Sequence, residues 1–196
     1  MRRAALGFRM HSGWGVLVAV AGDADSVEVI ERKSIVIIDA TIPRDKQPYH
    51  HAANLELREA AAYIAKLTAL SERLALAAVE RVLKDLHGRN YRIAGAALLL
   101  ASGRPLPSLA KILLSHPLIH TAEGEFFRSA VKSTCDRLKI PVSSIREQEL
   151  GERANAAFGN AAEAVQSRIS TVGSSIGPPW TKDHKAAALA ALMVLA

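Results

Sequence analysis

The chain has 196 residues, of which 49% are hydrophobic and 22% charged, and it carries a net charge of +6. This length and composition exclude a disordered or fibrous protein and predict one domain over residues 1–196, with a helical segment from about residue 149. The single cysteine, Cys135, excludes an internal disulfide framework and favours a cytoplasmic protein.

Three antiparallel strands are predicted at the start of the chain. Apolar runs at residues 4–10 and 15–21 are separated by a short glycine-containing turn, a pattern typical of a β hairpin. Residues 27–39 supply a third strand, for which we expect a bulge near residues 32–33. Two arginines precede the first run as they would in a signal peptide, but Arg9 interrupts the apolar stretch and favours the strand pair.

Helices and strands alternate in the rest of the chain. The pattern predicts, in order, a loop around Pro43 and Pro48, a helix over 53–86, a strand over 93–101 ending in a break at 102–105, a helical turn at 109–114, a helix beginning at Thr121, a strand over 141–146, a helix over 149–169, a loop at 173–179 and a last helix from Lys182.

The end of the chain is apolar but does not indicate a membrane protein. Residues 186–196 would form a helix only about 16 Å long, whereas a bilayer core is about 30 Å thick, so we expect a buried helix. Thr181 is predicted to cap this helix. Trp180 is predicted either to pack at its start or to stack on a ligand.

Two short motifs resemble the Holliday-junction resolvases and their relatives in the ribonuclease H-like superfamily. Residues 6–16, LGFRMHSGWGV, are similar to an opening strand in which an L-G-I-D motif precedes a glycine turn and a G-W-G-V type strand. Residues 183–189, DHKAAAL, are similar to the D-x-x-D-A-L-A start of the terminal helix. With the element order, the resemblance implies an α/β fold with a five-stranded mixed sheet, three antiparallel strands followed by two parallel ones, and flanking helices.

The resemblance also implies where catalytic groups would lie. The nucleases of this superfamily use three or four carboxylates at the centre of the sheet to hold two divalent metals, which activate water and stabilise the leaving oxygen. In this chain Arg9 replaces the first acid, the fourth strand ends in Ala101, and Ala186 replaces the second acid of the terminal motif, leaving Asp183. Because an arginine repels Mg²⁺, we expect a non-nucleolytic protein without a cofactor.

Arg9 admits two interpretations. Its guanidinium and the turn formed by His11, Ser12 and Gly13 could bind an anionic ligand such as a phosphate, a phosphorylated small molecule, a nucleotide or nucleic acid, much as the actin-like branch of the fold uses its first hairpin turn. Alternatively, Arg9 pairs with Asp183 inside the protein. The basic residues are scattered along the chain, which by itself indicates only a solvated basic surface.

Two further hypotheses stay open. A metal-dependent nuclease or phosphoryl-transfer enzyme could use Asp183 with Glu123, Glu125 and His120 in a rearranged site that binds Mg²⁺ or Mn²⁺. His120 and Glu123 are spaced to share a helix face, although Pro117 and Thr121 predict that His120 lies ahead of the helix. The other hypothesis is an assembly or scaffold protein whose alanine-rich helices form a homodimer.

The neighbouring histidines are further candidates for metal ligands. His50 and His51 are consecutive, so both cannot easily face one ion, and His116 lies close to His120 across Pro117. We predict local packing for these residues and no metal site.

Overall fold

A five-stranded mixed sheet forms the centre of the computed structural model, which describes residues 1–42, 45–101 and 105–196. The strand order is β3-β2-β1-β4-β5. The first three strands are antiparallel, and β4 and β5 run parallel to β1, as predicted. The strands are β1 (Arg2–Met10), β2 (Trp14–Gly22), β3 (Val27–Val36), β4 (Tyr91–Leu100) and β5 (Val142–Arg146).

Helices cover both faces of this sheet. The described helices are α1 (Pro48–Ala52), α2 (Leu57–Gly88), α3 (Leu109–Leu113), α4 (His116–Arg137), α5 (Leu150–Phe158), α6 (Ala162–Thr171), α7 (Gly173–Ile176) and α8 (Lys182–Met193). Helices α2 and α4 pack on one face in the larger core, and α8, supported by α5 and α6, packs on the other. The buried α8 confirms the expectation for the apolar end of the chain.

The alternation of side chains along β1 explains the two layers. Leu6 and Phe8 point into the larger core with α2 and α4, whereas Ala5 faces α8. Gly7 lies on the α8 side as well, and a Cβ atom there would collide with the carbonyl oxygen of Ala187. The small residues of β1 and α8 therefore let this helix lie directly on the central strand.

Several predicted boundaries were wrong. Helix α4 begins at His116 rather than Thr121, because a proline in the first turn of a helix loses no hydrogen bond. His120 therefore lies inside the helix. The bulge in β3 falls at Ile30 rather than at residues 32–33, since Ala19 pairs with Glu31 and Val20 with Val29.

Other differences concern the ends and breaks of helices. The helix predicted over 53–86 begins at Leu57, after the separate α1. The helix predicted over 149–169 is divided into α5 and α6 by a 3-10 turn at Gly159–Ala161, and a short helix, α7, occupies part of the loop predicted at 173–179. The predicted breaks at Pro43 and at residues 102–104 lie outside the described residues.

Within the described ranges, no helix combines the length and the apolarity that crossing a bilayer requires.

Candidate functional site

The carboxyl ends of the parallel strands β1, β4 and β5 meet at one edge of the sheet, which is where open α/β sheets place their ligands. Arg9 lies next to the end of β1, with 18% of its side chain exposed. Its Nη2 atom donates a hydrogen bond to Glu147 Oε2 at 2.8 Å. Its Nη1 atom donates to Asp183 Oδ1. Arg9 therefore pairs with Asp183, as the second of its two interpretations predicts.

Asp183 joins a second residue of the first hairpin to this group. It lies in the first turn of α8, where a carboxylate interacts favourably with the helix dipole. Its other oxygen, Oδ2, is 2.8 Å from His11 Nε2. We call Arg9, His11, Glu147 and Asp183 the central cluster.

Hydrogen bonds and charges within the central cluster further stabilise the protonated guanidinium of Arg9. Burial on its own would lower the pKa of Arg9, but the hydrogen bonds and charges of Glu147 and Asp183 outweigh burial and raise the pKa above its ordinary value. One arginine thus faces two carboxylates, and each carboxylate directs an oxygen at a cation instead of at open solvent.

The central cluster does not fit the two divalent metals that the resemblance implies. Both of its carboxylates are paired with Arg9, whose positive charge would repel a hard cation that bound to either of them. Ala101 and Ala186 supply no side-chain ligand atom at the positions where the resemblance implies acids.

The predicted residues of the hairpin turn remain near this cluster. Ser12 is exposed, and Gly13 adopts a φ of 83°, which favours glycine. Trp14 is 41% exposed and stacks on the His11 ring with their centroids 4.6 Å apart and their planes 19° apart. The turn thus presents a hydroxyl group and an aromatic surface beside the central cluster.

A cleft of about 440 Å³ opens next to the turn. Trp14 and Val16 form one wall, and the start of α8, with the exposed Lys182, forms another. Arg32 also lines the cleft, but its guanidinium donates hydrogen bonds of 2.6–3.3 Å to the carbonyl oxygens of four consecutive residues, 176–179. Arg32 therefore fixes the loop that leads into α8.

The same loop ends in a cap for α8. Thr181 is the predicted N-cap, and its backbone N–H donates to His184 Nδ1 at 3.3 Å in a capping box. Burial and the charge of Arg32 lower the pKa of His184, and an unprotonated Nδ1 is what this contact requires. Trp180 takes its predicted packing role, because its indole N–H donates to the Ile169 carbonyl at 2.8 Å.

The other candidate residues lie elsewhere. Glu123 and His120 belong to α4, on the face of the sheet opposite α8, and Glu123 Oε1 accepts a hydrogen bond from the His50 ring at 2.8 Å. No hydrogen bond or ion pair found among the described residues joins them to Asp183. Glu147 is absent from the predicted site residues, although its position directly after β5, at the carboxyl edge of the sheet, was the available clue.

Comparison with solved structures identifies the fold. The structure of T. thermophilus RuvC in complex with Holliday junction substrate matches with a TM-score of 0.52 and 12% identity, covering 97% of this chain and 91% of that chain. A second structure, of Thermus thermophilus RuvC, matches with a TM-score of 0.50 and 13% identity, covering 97% and 92%. No protein-family model and no curated protein sequence matches the chain. The likeness shows the predicted ribonuclease H-like fold.

Proposed function

We propose that this chain, which has the ribonuclease H-like fold, is a non-nucleolytic domain that binds a phosphate-bearing ligand beside its first hairpin, and that the ligand is nucleic acid. The observation that most directly supports the non-nucleolytic assignment is the central cluster, in which Arg9 is paired with Glu147 and Asp183.

The electrostatics of the central cluster argue against metal-dependent hydrolysis. The guanidinium supplies a fixed positive charge at the place where the nucleases that this chain resembles bind divalent ions. For metal ions to take over both Glu147 and Asp183, Arg9 would have to leave two ion pairs and remain unpaired nearby. Such a rearrangement is costly, because a partly buried charge that loses its partners keeps its desolvation penalty.

The surroundings of the cluster favour binding to nucleic acid. Trp14 offers an exposed ring on which a base can stack, and base stacking on aromatic side chains tolerates any sequence. Lys182 provides positive charge across the cleft for a phosphate. The exposed hydroxyl of Ser12 is a further donor in the turn. Hydrogen bonds among Arg9, His11 and Asp183 fix the strand end from which the turn begins. One of the similar structures is a complex with Holliday junction substrate.

Fluorescence anisotropy with labelled single-stranded and four-way junction DNA tests the binding. Trp14→Ala should weaken affinity about 5- to 150-fold, as expected for the loss of one stacked base, whereas Trp14→Phe should retain most of it. Lys182→Glu should weaken binding and reduce its salt dependence. Lys84→Glu, which changes an exposed lysine on α2 by the same charge, serves as the control.

The same DNA substrates, incubated with Mg²⁺ or Mn²⁺, test the absence of cleavage. We expect intact DNA in both cases. Metal-dependent cleavage that is lost in Asp183→Asn would refute the non-nucleolytic assignment, and binding that is equally strong in Trp14→Ala, Lys182→Glu and the Lys84→Glu control would refute the proposed location.

A further inference from the structure

Three histidines meet away from the central cluster, between α1 and the start of α4. Nitrogen atoms of His50, His116 and His120 lie within 4.8 Å of one another. Their ring centroids are 4.5–5.4 Å apart, and each pair of rings is steeply inclined, by 66–90°. His116 and His120 are four residues apart on α4, a spacing that places both on one face of a helix.

A buried carboxylate orients one of these rings. Glu123 is only 5% exposed, and its Oε1 atom lies 2.8 Å from His50 Nδ1 and 3.2 Å from the His50 backbone nitrogen. Since a carboxylate accepts hydrogen bonds, Nδ1 is the protonated nitrogen of this ring. In the neutral imidazole the lone pair is then on Nε2. A histidine whose other ring nitrogen donates to a carboxylate is the usual arrangement at protein metal sites.

We propose that His50, His116 and His120 bind one divalent late transition metal ion, with zinc as the expected metal and Glu123 as a positioning residue. Tetrahedral zinc with Zn–N bonds of about 2.0–2.1 Å requires nitrogen atoms about 3.3–3.4 Å apart. His116 and His120 are exposed, so rotation of their side chains can close the remaining gap. Three imidazole ligands leave the fourth position to a water molecule.

The donor set decides which class of metal this site takes. Imidazole nitrogens suit Zn²⁺, Co²⁺, Ni²⁺ and Cu²⁺, whereas Mg²⁺ prefers oxygen ligands. The site is also independent of the proposed function, since α4 packs on the face of the sheet opposite α8. Its ion would connect α1 to α4 through side chains from two separate parts of the chain.

Isothermal titration of the full chain with Zn²⁺, after treatment with a chelator and dialysis, tests the site. We expect one ion per chain. His116→Asn and His120→Asn should each lower the affinity more than about 100-fold, because loss of a ligand costs more than loss of an orienting partner. Glu123→Gln should lower it about 10- to 100-fold. His87→Asn, which removes an exposed histidine from the last turn of α2, should leave the affinity unchanged.

Co²⁺ provides a second readout, which reports the coordination geometry of the bound ion. A tetrahedral site gives Co²⁺ intense visible absorption, which should appear in the wild-type protein and in His87→Asn and disappear in His120→Asn. Zinc affinity that is the same in His120→Asn and His87→Asn, or a wild-type protein without saturable zinc binding, would overturn the proposal. DNA binding through Trp14 is measured separately, so the failure of one proposal does not imply the failure of the other.

Discussion

Arg9 and Glu147 are hydrogen-bonded at 2.8 Å although 138 positions separate them in the chain. The contact joins the end of β1 to the turn that follows β5, the edge strand of the sheet. With Asp183 as the second partner, it makes the centre of this sheet edge an ion-pair network instead of a set of acids.

Removing the charge of Arg9 should destabilise the fold. In Arg9→Gln, Asp183 and Glu147 lose their cation and remain close together, which should lower the free energy of unfolding by about 1–3 kcal/mol, less than for a fully buried pair because Glu147 is 36% exposed. Urea denaturation measures this. Arg146→Gln, which breaks the more exposed pair with Glu149, is the control and should have little effect. Equal stability of the two variants would show that the central cluster contributes nothing to folding.

Introducing an acid at position 9 should create a metal site. Arg9→Asp places a third carboxylate beside Glu147 and Asp183, and this set of oxygen ligands suits Mg²⁺ or Mn²⁺. We expect Mn²⁺ to raise the melting temperature of Arg9→Asp but not of the wild type or of Arg9→Asn, because binding to the folded state stabilises it. If Arg9→Asp folds but Mn²⁺ does not change its melting temperature, the idea that Arg9 takes the place of a cation is wrong.

His184 should make stability depend on pH. Because its pKa is lowered in the folded protein, the unfolded chain takes up the proton first when the pH falls below about 6.5, and the free energy of unfolding decreases from there towards the folded pKa. Protonation of Nδ1 also removes the acceptor for the Thr181 N–H. Urea denaturation at about pH 7.5 and about pH 5.5 measures the loss.

His184→Gln isolates this contribution. Glutamine can accept the same backbone hydrogen bond at this position of a capping box but does not titrate. The loss of stability between the two pH values should therefore be smaller in His184→Gln than in the wild type. An unchanged loss would assign the pH dependence to other groups.

A methyl group at position 7 should disrupt the contact between β1 and α8. In Gly7→Ala the new Cβ would overlap the backbone of Ala187 and lie 3.1 Å from the Ala191 Cβ, so the helix must move, at a cost of about 3 kcal/mol or more. In Gly151→Ala, at the start of α5, the new methyl group would meet no atom within 4 Å, and we expect little change. Thermal unfolding of both variants tests this, and a wild-type melting temperature for Gly7→Ala would rule out the close approach.

The architecture was more accessible from sequence than the sites were. Two apolar runs around a glycine turn predict the first hairpin, and the apolar run at residues 186–196 predicts the last helix. The element order and the resemblance imply the strand arrangement, which the structure confirms. The start of α4 was missed because Pro117 looks like a boundary, although a first helical turn tolerates it.

Contacts between distant segments were harder to predict. His50 meets Glu123 across 73 positions, and no periodicity relates the two. Glu147 could have been suspected from its place after β5, but only the strand order brings it to Arg9. Arg9 and Asp183 were proposed as partners because the resemblance placed both at the same edge of the sheet.

The close packing of α8 against Gly7 has a consequence for the central cluster. The backbones of Gly7 and Ala187 are in close contact, so steric repulsion, which salt does not screen, limits how near α8 lies to β1. Raising the ionic strength should therefore weaken the ion pairs of Asp183 without moving its Cα atom. The packing of β1 against α8 therefore fixes the backbone geometry of this sheet edge, and the ion pairs form within that geometry without determining it.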